Sequence, residues 1–341
     1  MLKNGEKAEF RRALLGWFEV HQRDLPWRRT SDPYAIWISE IMLQQTRVAA
    51  VIPFYERFLR RFPDYRALAE APPSDLLAHW AGLGYYYRAR NLQKAAQEMV
   101  ARNGFPASYE EIRSLPGVGE YTAAAVLSIG FGLPFAAVDG NVLRVLSRIL
   151  ANGANIGSAA GRKHFSAEAE QLLPQEQPGA FNQAMMELGA TVCLPKNPQC
   201  LVCPVCDLCQ ARQLGRQNEF PFKLRQNKSV EEERVVFWIE RNRQILLWQR
   251  PPGTRLMPGF WELPEREHLP DLKLARKLGA FGHGITFHRY RFEIWEAEAD
   301  GKAGPCEWIP ISGLMALPIS TIVRKALQVV ERSAARSAAA D

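Results

Sequence analysis

In residues 6–24 the apolar positions, Phe10, Leu14, Trp17 and Phe18 among them, recur at helical spacing between charged residues and predict an amphipathic helix. The stretch LPWRRTSDP breaks that pattern, and Pro33 suits a new helix start. From Pro33 to Thr46 the only charge is Glu40, surrounded on the helix by Trp37, Ile38, Ile41 and Met42. A second apolar stretch follows Pro116-Gly117-Val118-Gly119, a tight glycine turn. Tyr121 to Ile129 is small and apolar and predicts a buried helix. The uncharged run continues to Val138, but Gly130, Gly132 and Pro134 interrupt it and Asp139 ends it. It therefore reads as protein core rather than a membrane span. NVLRVLSRIL predicts another helix, which Asp139 can cap. Between Glu176 and Lys196 the single charge is Glu187, in FNQAMMELGATVC.

After residue 209 the pattern changes. Residues 210–233 are polar and charged and read as a linker. RVVFWIE and QILLWQR then read as paired strands. MPGFWELPE, GHGITFHRYRFEIWEAE and CEWIPI continue the β-rich pattern, with a helix expected near 271–279 and another near 318–331. Residues 332–341 read as a flexible tail. An α-helical domain followed by a separate α+β domain is the architecture these patterns predict.

Composition sharpens this picture. A chain of 341 residues that is 47% hydrophobic supports two or three domains with full cores. Lys3, Lys7, Arg11 and Arg12 are not followed by an apolar segment, so no signal peptide is read and the cytoplasm is the expected location. The net charge of +7 leans toward the amino-terminal two thirds and suits a polyanion. Five of the six cysteines, Cys193, Cys200, Cys203, Cys206 and Cys209, crowd together, which points to metal rather than disulfides. The spacing Cys193-x6-Cys200-x2-Cys203-x5-Cys209 supplies four thiolates for zinc or an iron–sulfur cluster, while Cys206 continues a Cys-x2-Cys series from Cys200.

Three lone carboxylates stand in apolar segments. Burial raises a carboxyl pKa, so Glu40 in a cleft is a candidate general acid; an arginine partner would make it a buried ion pair instead. Asp139 is a helix cap or a reactive group, and Glu187 a cap or one half of a salt bridge. Trp27 and Arg28 can stack on and hydrogen-bond a base. Tyr85 to Tyr87 beside Arg88 and Arg90 suit stacking and phosphate contact. The turn at Gly117 and Gly119 places free N–H groups where a phosphate binds.

These stretches together resemble a known family. LPWR, WISEIMLQQT, GLGYYYRARNL, LPGVGEYTA, VDGNVLRV, FNQAMMELGA and the cysteine spacing are similar to the MutY-type adenine DNA glycosylases of the helix-hairpin-helix superfamily. The resemblance implies an all-α helix-hairpin-helix glycosylase domain with an iron–sulfur loop over 1–209. Its six-helix portion would span about residues 30–137, and its iron–sulfur portion residues 1–29 and 138–209. A linker (210–233), an α+β MutT-like domain (234–331) and the tail would follow. It further implies hydrolysis of the N-glycosidic bond of adenine mispaired with 8-oxoguanine in double-stranded DNA, by a monomer without membrane attachment. Glu40 would protonate the adenine and Asp139 stabilise the cationic sugar, supported by Tyr121 and Asn141. Trp27, Arg28, Gln183 and Glu187 would line the adenine pocket, and Gln45 and Tyr85 would invade the duplex. Gly117 and Gly119 would contact the backbone, and Cys193, Cys200, Cys203 and Cys209 would hold a [4Fe-4S] cluster. Thr286, in Ile285-Thr286-Phe287, would read the lesion.

Two rivals stand beside this reading. An endonuclease III-like glycosylase/lyase needs a lysine nucleophile, and this chain has Tyr121 at the corresponding place. A non-catalytic iron–sulfur DNA-binding protein would not need both Glu40 and Asp139. In the second domain, DLKLARKLGA lacks the paired glutamates of a metal-dependent nucleotide hydrolase.

Overall fold

The computed structural model describes residues 2–224, 230–251, 253–254, 257–269, 272–285, 288–299 and 305–338. It divides into two compact units, Met1–Leu224 and Arg225–Asp341.

The first unit is helical: α1 (Asn4–His21), α2 (Pro33–Leu43), α3 (Val48–Arg61), α4 (Tyr65–Glu70), α5 (Pro73–Trp80), α6 (Tyr87–Ala101), α7 (Tyr109–Ser114), α8 (Glu120–Gly130), α9 (Gly140–Ile149), α10 (Ala159–Leu172), α11 (Pro178–Thr191) and α12 (Gln210–Gln213). Two hydrophobic cores fill it. One gathers side chains from Leu25 to Leu127 around Trp37, Phe58 and Trp80. The other joins Phe10, Leu14 and Phe18 of α1 to the apolar faces of α9, α10 and α11. Helix α2 is central because it is apolar all round: every residue from Tyr34 to Met42 is buried. Its start is set by Asp32, whose carboxylate accepts from the N–H groups of Tyr34 (3.1 Å) and Ala35 (3.3 Å), and by Pro33 in the first turn.

Residues 210–224, expected as the beginning of a linker, are folded onto this unit. Ala211 and Phe220 are buried in its second core, and the Phe222 carbonyl accepts from the Ile156 N–H at 3.1 Å. Their polar sequence concealed this because the anchoring is shared between a few apolar side chains, Ala211 and Phe220 among them, and backbone carbonyls.

The second unit holds β1 (Val230–Trp238), β2 (Glu240–Arg241), β3 (Gln244–Gln249), β4 (Trp261–Glu262), β5 (Leu272–Ile285), β6 (His288–Ala299), β7 (Cys306–Pro310) and α13 (Thr321–Ala338). One sheet has the order β1-β6-β5, with β1 parallel and β5 antiparallel to β6. In the other, β3 is flanked by β2, β4 and β7. RVVFWIE and QILLWQR were expected to pair; they do so only at their near ends, with Glu240 of β2 opposite Ile245 of β3 and the Leu246 N–H donating to the Ile239 carbonyl at 3.0 Å, while β1 lies in the other sheet. The helix expected near 271–279 is strand β5. LKLARKLG is rich in helix formers, but twelve of the fourteen residues of β5 pair with β6, and non-local pairing overrides local propensity. The tail expected at 332–341 is helical as far as Ala338. Helix α13 approaches β5 closely at Gly279, where a Cβ would stand 2.6 Å from Val329 Cγ1.

Candidate active site

A cavity of about 540 Å³ opens between α2, α8, α11 and the start of α9. Trp27, Arg28, Glu40, Gln45, Tyr121, Asp139, Asn141 and Gln183 all contribute to its walls. Such a volume lies in the ordinary range for small-molecule sites, about 300–1,000 Å³.

Glu40 reaches the cavity from α2 and is only 6% exposed. Burial pushes its carboxyl up to about 7; the Asp139 charge adds to this, while a hydrogen bond with Tyr121 and the Arg28 charge oppose it. The Tyr121 hydroxyl is held well above its ordinary value by burial and by Glu40 and Asp139, so it keeps its proton.

Asp139 is both of the things the sequence allowed. It caps α9, with its Oδ1 accepting from the Val142 N–H at 2.8 Å, and it faces the cavity. Its Oδ2 accepts from Asn141 Nδ2 at 2.7 Å. Burial raises its pKa, and these N–H groups together with Arg144 pull the other way. Asn141 is held in turn: its Oδ1 accepts from Arg144 Nη2 at 2.9 Å, and the same nitrogen donates to the Gly189 carbonyl at 2.8 Å. Gly189 is needed here, since a Cβ would stand 2.6 Å from that of Asn141.

Glu187 is placed differently. It is fully buried, absent from the cavity walls, and clamped by two arginines. Arg23 donates through Nε and Nη2 at 2.7 Å each and through its backbone N–H at 3.1 Å, and Arg28 Nη2 donates at 2.7 Å. Burial alone would raise its pKa, but these bonds and charges outweigh it and hold the carboxyl at about 2. Glu187 fixes Arg28, which does line the cavity, and Arg28 also lies over the Phe18 ring at 5.1 Å. Trp27 is edge-on to Tyr55 at 5.5 Å.

Gln45 and Tyr85 sit on two exposed turns with left-handed backbone, φ 57° and 50°. Tyr85 is not a cavity residue. Both turns are tied to Arg88, which the sequence suggested for phosphate contact but which is 2% exposed. Its Nη1 donates to the carbonyls of Ile41, Met42 and Gln44, and its Nη2 to those of Leu83 and Gly84. Both Nη groups are committed to these acceptors, and Nε, which has no partner, is buried, so this guanidinium is out of reach of a phosphate. Gly117 (φ 79°) packs against Asn91 before the first turn of α8, and Gly119 caps that helix without a side-chain partner.

The five clustered cysteines share the walls of a second, small cavity with Arg148. Arg148 Nη1 lies 3.3 Å from Cys193 Sγ, and its Nε donates to the carbonyls of Gln217 and Phe220 at 2.8 and 3.0 Å. All five are free thiols, and among the described residues no group stands ready at metal-ligand distances. The donor set is nonetheless that of a thiolate-held metal or cluster, backed by a cation.

Residues 38–175 match the HhH-GPD superfamily base excision DNA repair protein family. The adenine DNA glycosylase of rat is 46% identical over 94% of this chain and 78% of its own length. That of mouse is 33% identical over the same shares, and that of man 38% identical over 80% of this chain and 60% of its own length. The chain belongs to the adenine DNA glycosylase family. A solved thermostable thymine-DNA glycosylase aligns over 62% of the chain and 98% of its own, with TM-score 0.56 and 30% identity. An endonuclease III trapped as a covalent DNA intermediate aligns over 63% and 99%, with TM-score 0.54 and 25% identity.

Within this member of the adenine DNA glycosylase family, sequence reasoning missed Arg23, Arg144, Arg148, Gly189 and Met186, and gave Arg88 a phosphate-binding role that its burial rules out. Arg144 and Arg148 carried a findable signal: two arginines one turn apart on an otherwise apolar helix, both buried. The others have no local signal. Thr286 lies outside the described residues.

Proposed function

We propose that the chain hydrolyses the N-glycosidic bond of adenine paired with 8-oxoguanine, acting as a monomer on double-stranded DNA. The observation that carries this reading is one cavity holding two carboxyl groups in opposed environments. Glu40 lacks the N–H donors that favour a charge and is held up at about 7, while Asp139 receives two. In this reading the pair divides near neutral pH into an acid, Glu40, and a carboxylate, Asp139, whose charge helps to keep the proton on Glu40.

The steps follow from that division. The adenine leaves the duplex stack and enters the cavity, where Trp27, Arg28 and Gln183 surround it. Glu40 protonates the ring, because adenine departs poorly as an anion. The C–N bond breaks, leaving positive charge on the sugar that the Asp139 carboxylate stabilises. Water then adds to the sugar and its proton leaves, giving an abasic site. None of the described residues lining the cavity is a lysine, which argues against the endonuclease III-like lyase reading.

Cys193, Cys200, Cys203 and Cys209 would hold a [4Fe-4S] cluster, which when bound ties the loop 193–209 together. Arg148 is in place to balance thiolate charge. A MutT-like role for residues 234–331, with Thr286 reading the lesion, belongs to the same proposal. The test is incubation with a duplex holding 8-oxoguanine opposite adenine, followed by alkali cleavage and assay of free adenine. Cleavage without alkali, or a borohydride-trapped adduct near residue 121, overturns it.

A further inference from the structure

Five thiols line one cavity, and the cluster proposed above takes four of them. Cys206 is the one left over. Three successive turns join the last four cysteines: the Cys203 N–H donates to the Cys200 carbonyl at 3.4 Å, that of Cys206 to Cys203 at 3.2 Å, and that of Cys209 to Cys206 at 3.2 Å. Side chains three residues apart in turns of this 3-10 type fall on the same side, and Cys206 accordingly lines the cavity with the others.

The donor set is anchored at its two ends. Cys193 Sγ accepts from Arg148 Nη1 at 3.3 Å, and Cys209 Sγ donates to the Arg148 carbonyl at 3.4 Å. Cys206 is held more loosely: its Sγ donates to Asp207 Oδ1 at 3.4 Å, and a thiol is a weak donor. Asp207 keeps Arg212 Nη1 as a partner at 3.1 Å when the thiol turns away. Removing Cys203 from the series leaves Cys200-x5-Cys206-x2-Cys209, which is Cys200-x2-Cys203-x5-Cys209 with its two gaps interchanged. The ends stay in place and only the inner ligand changes.

We propose that Cys206 is a spare ligand that takes the place of Cys203, so that the loop keeps four thiolates for its metal when Cys203 is lost. This rests on the reading of the loop as an iron–sulfur site. Cys206 binds as its thiolate. In the exchange one iron–sulfur bond forms as one breaks, the Cys206 proton passes to the departing Cys203 thiolate, and no electron is transferred.

The test uses the full chain, purified without oxygen, as wild type, Cys206→Ala, Cys203→Ala, Cys203→Ala/Cys206→Ala and Cys193→Ala. Alanine is chosen because a serine oxygen can itself bind iron. Iron and zinc per chain are measured, and iodoacetamide labelling of each cysteine is mapped by mass spectrometry. Wild type, Cys206→Ala and Cys203→Ala are each expected to hold about four irons, and the double variant and Cys193→Ala to lose most of theirs. Cys206 is expected to be labelled in wild type and protected in Cys203→Ala until a chelator strips the iron. Equal iron in Cys203→Ala and the double variant overturns the proposal. So does a Cys203→Ala chain that fails to fold while Cys206→Ala folds, or equal labelling of Cys206 in the two iron-loaded forms. A wild type loaded with zinc instead of iron overturns the iron–sulfur reading itself, and the proposal with it.

Discussion

Glu40 and Glu187 look alike in the sequence: each is the lone charge in an apolar helix. The fold treats them in opposite ways. Around Glu40 it places a tyrosine and a second carboxylate, with Arg28 acting only through its charge, and the carboxyl rises to about 7. Around Glu187 it places two arginines at 2.7 Å, and the carboxyl falls to about 2. Burial is common to both. What differs is whether hydrogen-bonded countercharge arrives with it, and that decides whether a buried acid is a proton donor or a structural anchor.

Breaking the first region should have the largest effect. Glu40→Gln keeps the shape and removes the acidic proton, so single-turnover adenine release should fall by about 10²–10⁴-fold while duplex binding persists. A rate within tenfold of wild type would remove Glu40 from the chemistry. Breaking the second should act on stability. Glu187→Ala leaves Arg28 unpaired in a nearly closed site, and urea denaturation should show a loss of about 3 kcal/mol.

Proton linkage gives the two sites opposite signs. Glu40 has a folded pKa above the ordinary 4.5, so its contribution is complete below about pH 4.5 and is lost as pH rises through about 7. Glu40→Gln should therefore be more stable than wild type at pH 8, by about 3 kcal/mol, with the gap closing toward pH 4.5. Glu187 has a folded pKa below 4.5, so its contribution is present above that pH and is lost as pH falls toward about 2. The advantage of wild type over Glu187→Gln should shrink over that acid range. Urea midpoints across pH check both, and slopes of the same sign would contradict the comparison. The smallest expected effect is at Asn141. Asn141→Ala removes the 2.7 Å bond to Asp139 and should slow adenine release about tenfold, as measured under single turnover.

Local pattern was enough for α1, α2, α8 and α9, because a helix satisfies its own backbone and its apolar face is visible at 3–4 residue spacing. It was enough to find Glu40, Asp139 and the cysteines as chemically unusual positions. It was not enough for β5, whose helix-forming residues are held extended by β6, nor for residues 210–224, where a polar composition hides the few apolar side chains and the carbonyls that anchor the segment.

The isolation of an acid in an apolar segment, the glycine turn before α8 and the crowding of thiols are properties of neighbours in the chain, and the amino-acid order settles them. The state of each acid is a property of neighbours in space. Arg23 stands 164 residues from Glu187, and Tyr121 and Asp139 reach Glu40 from other elements. A carboxyl's pKa responds to charges and donors within a few ångströms, so only the packing of α2, α8, α9 and α11 around one cavity could separate the proton donor from the anchor.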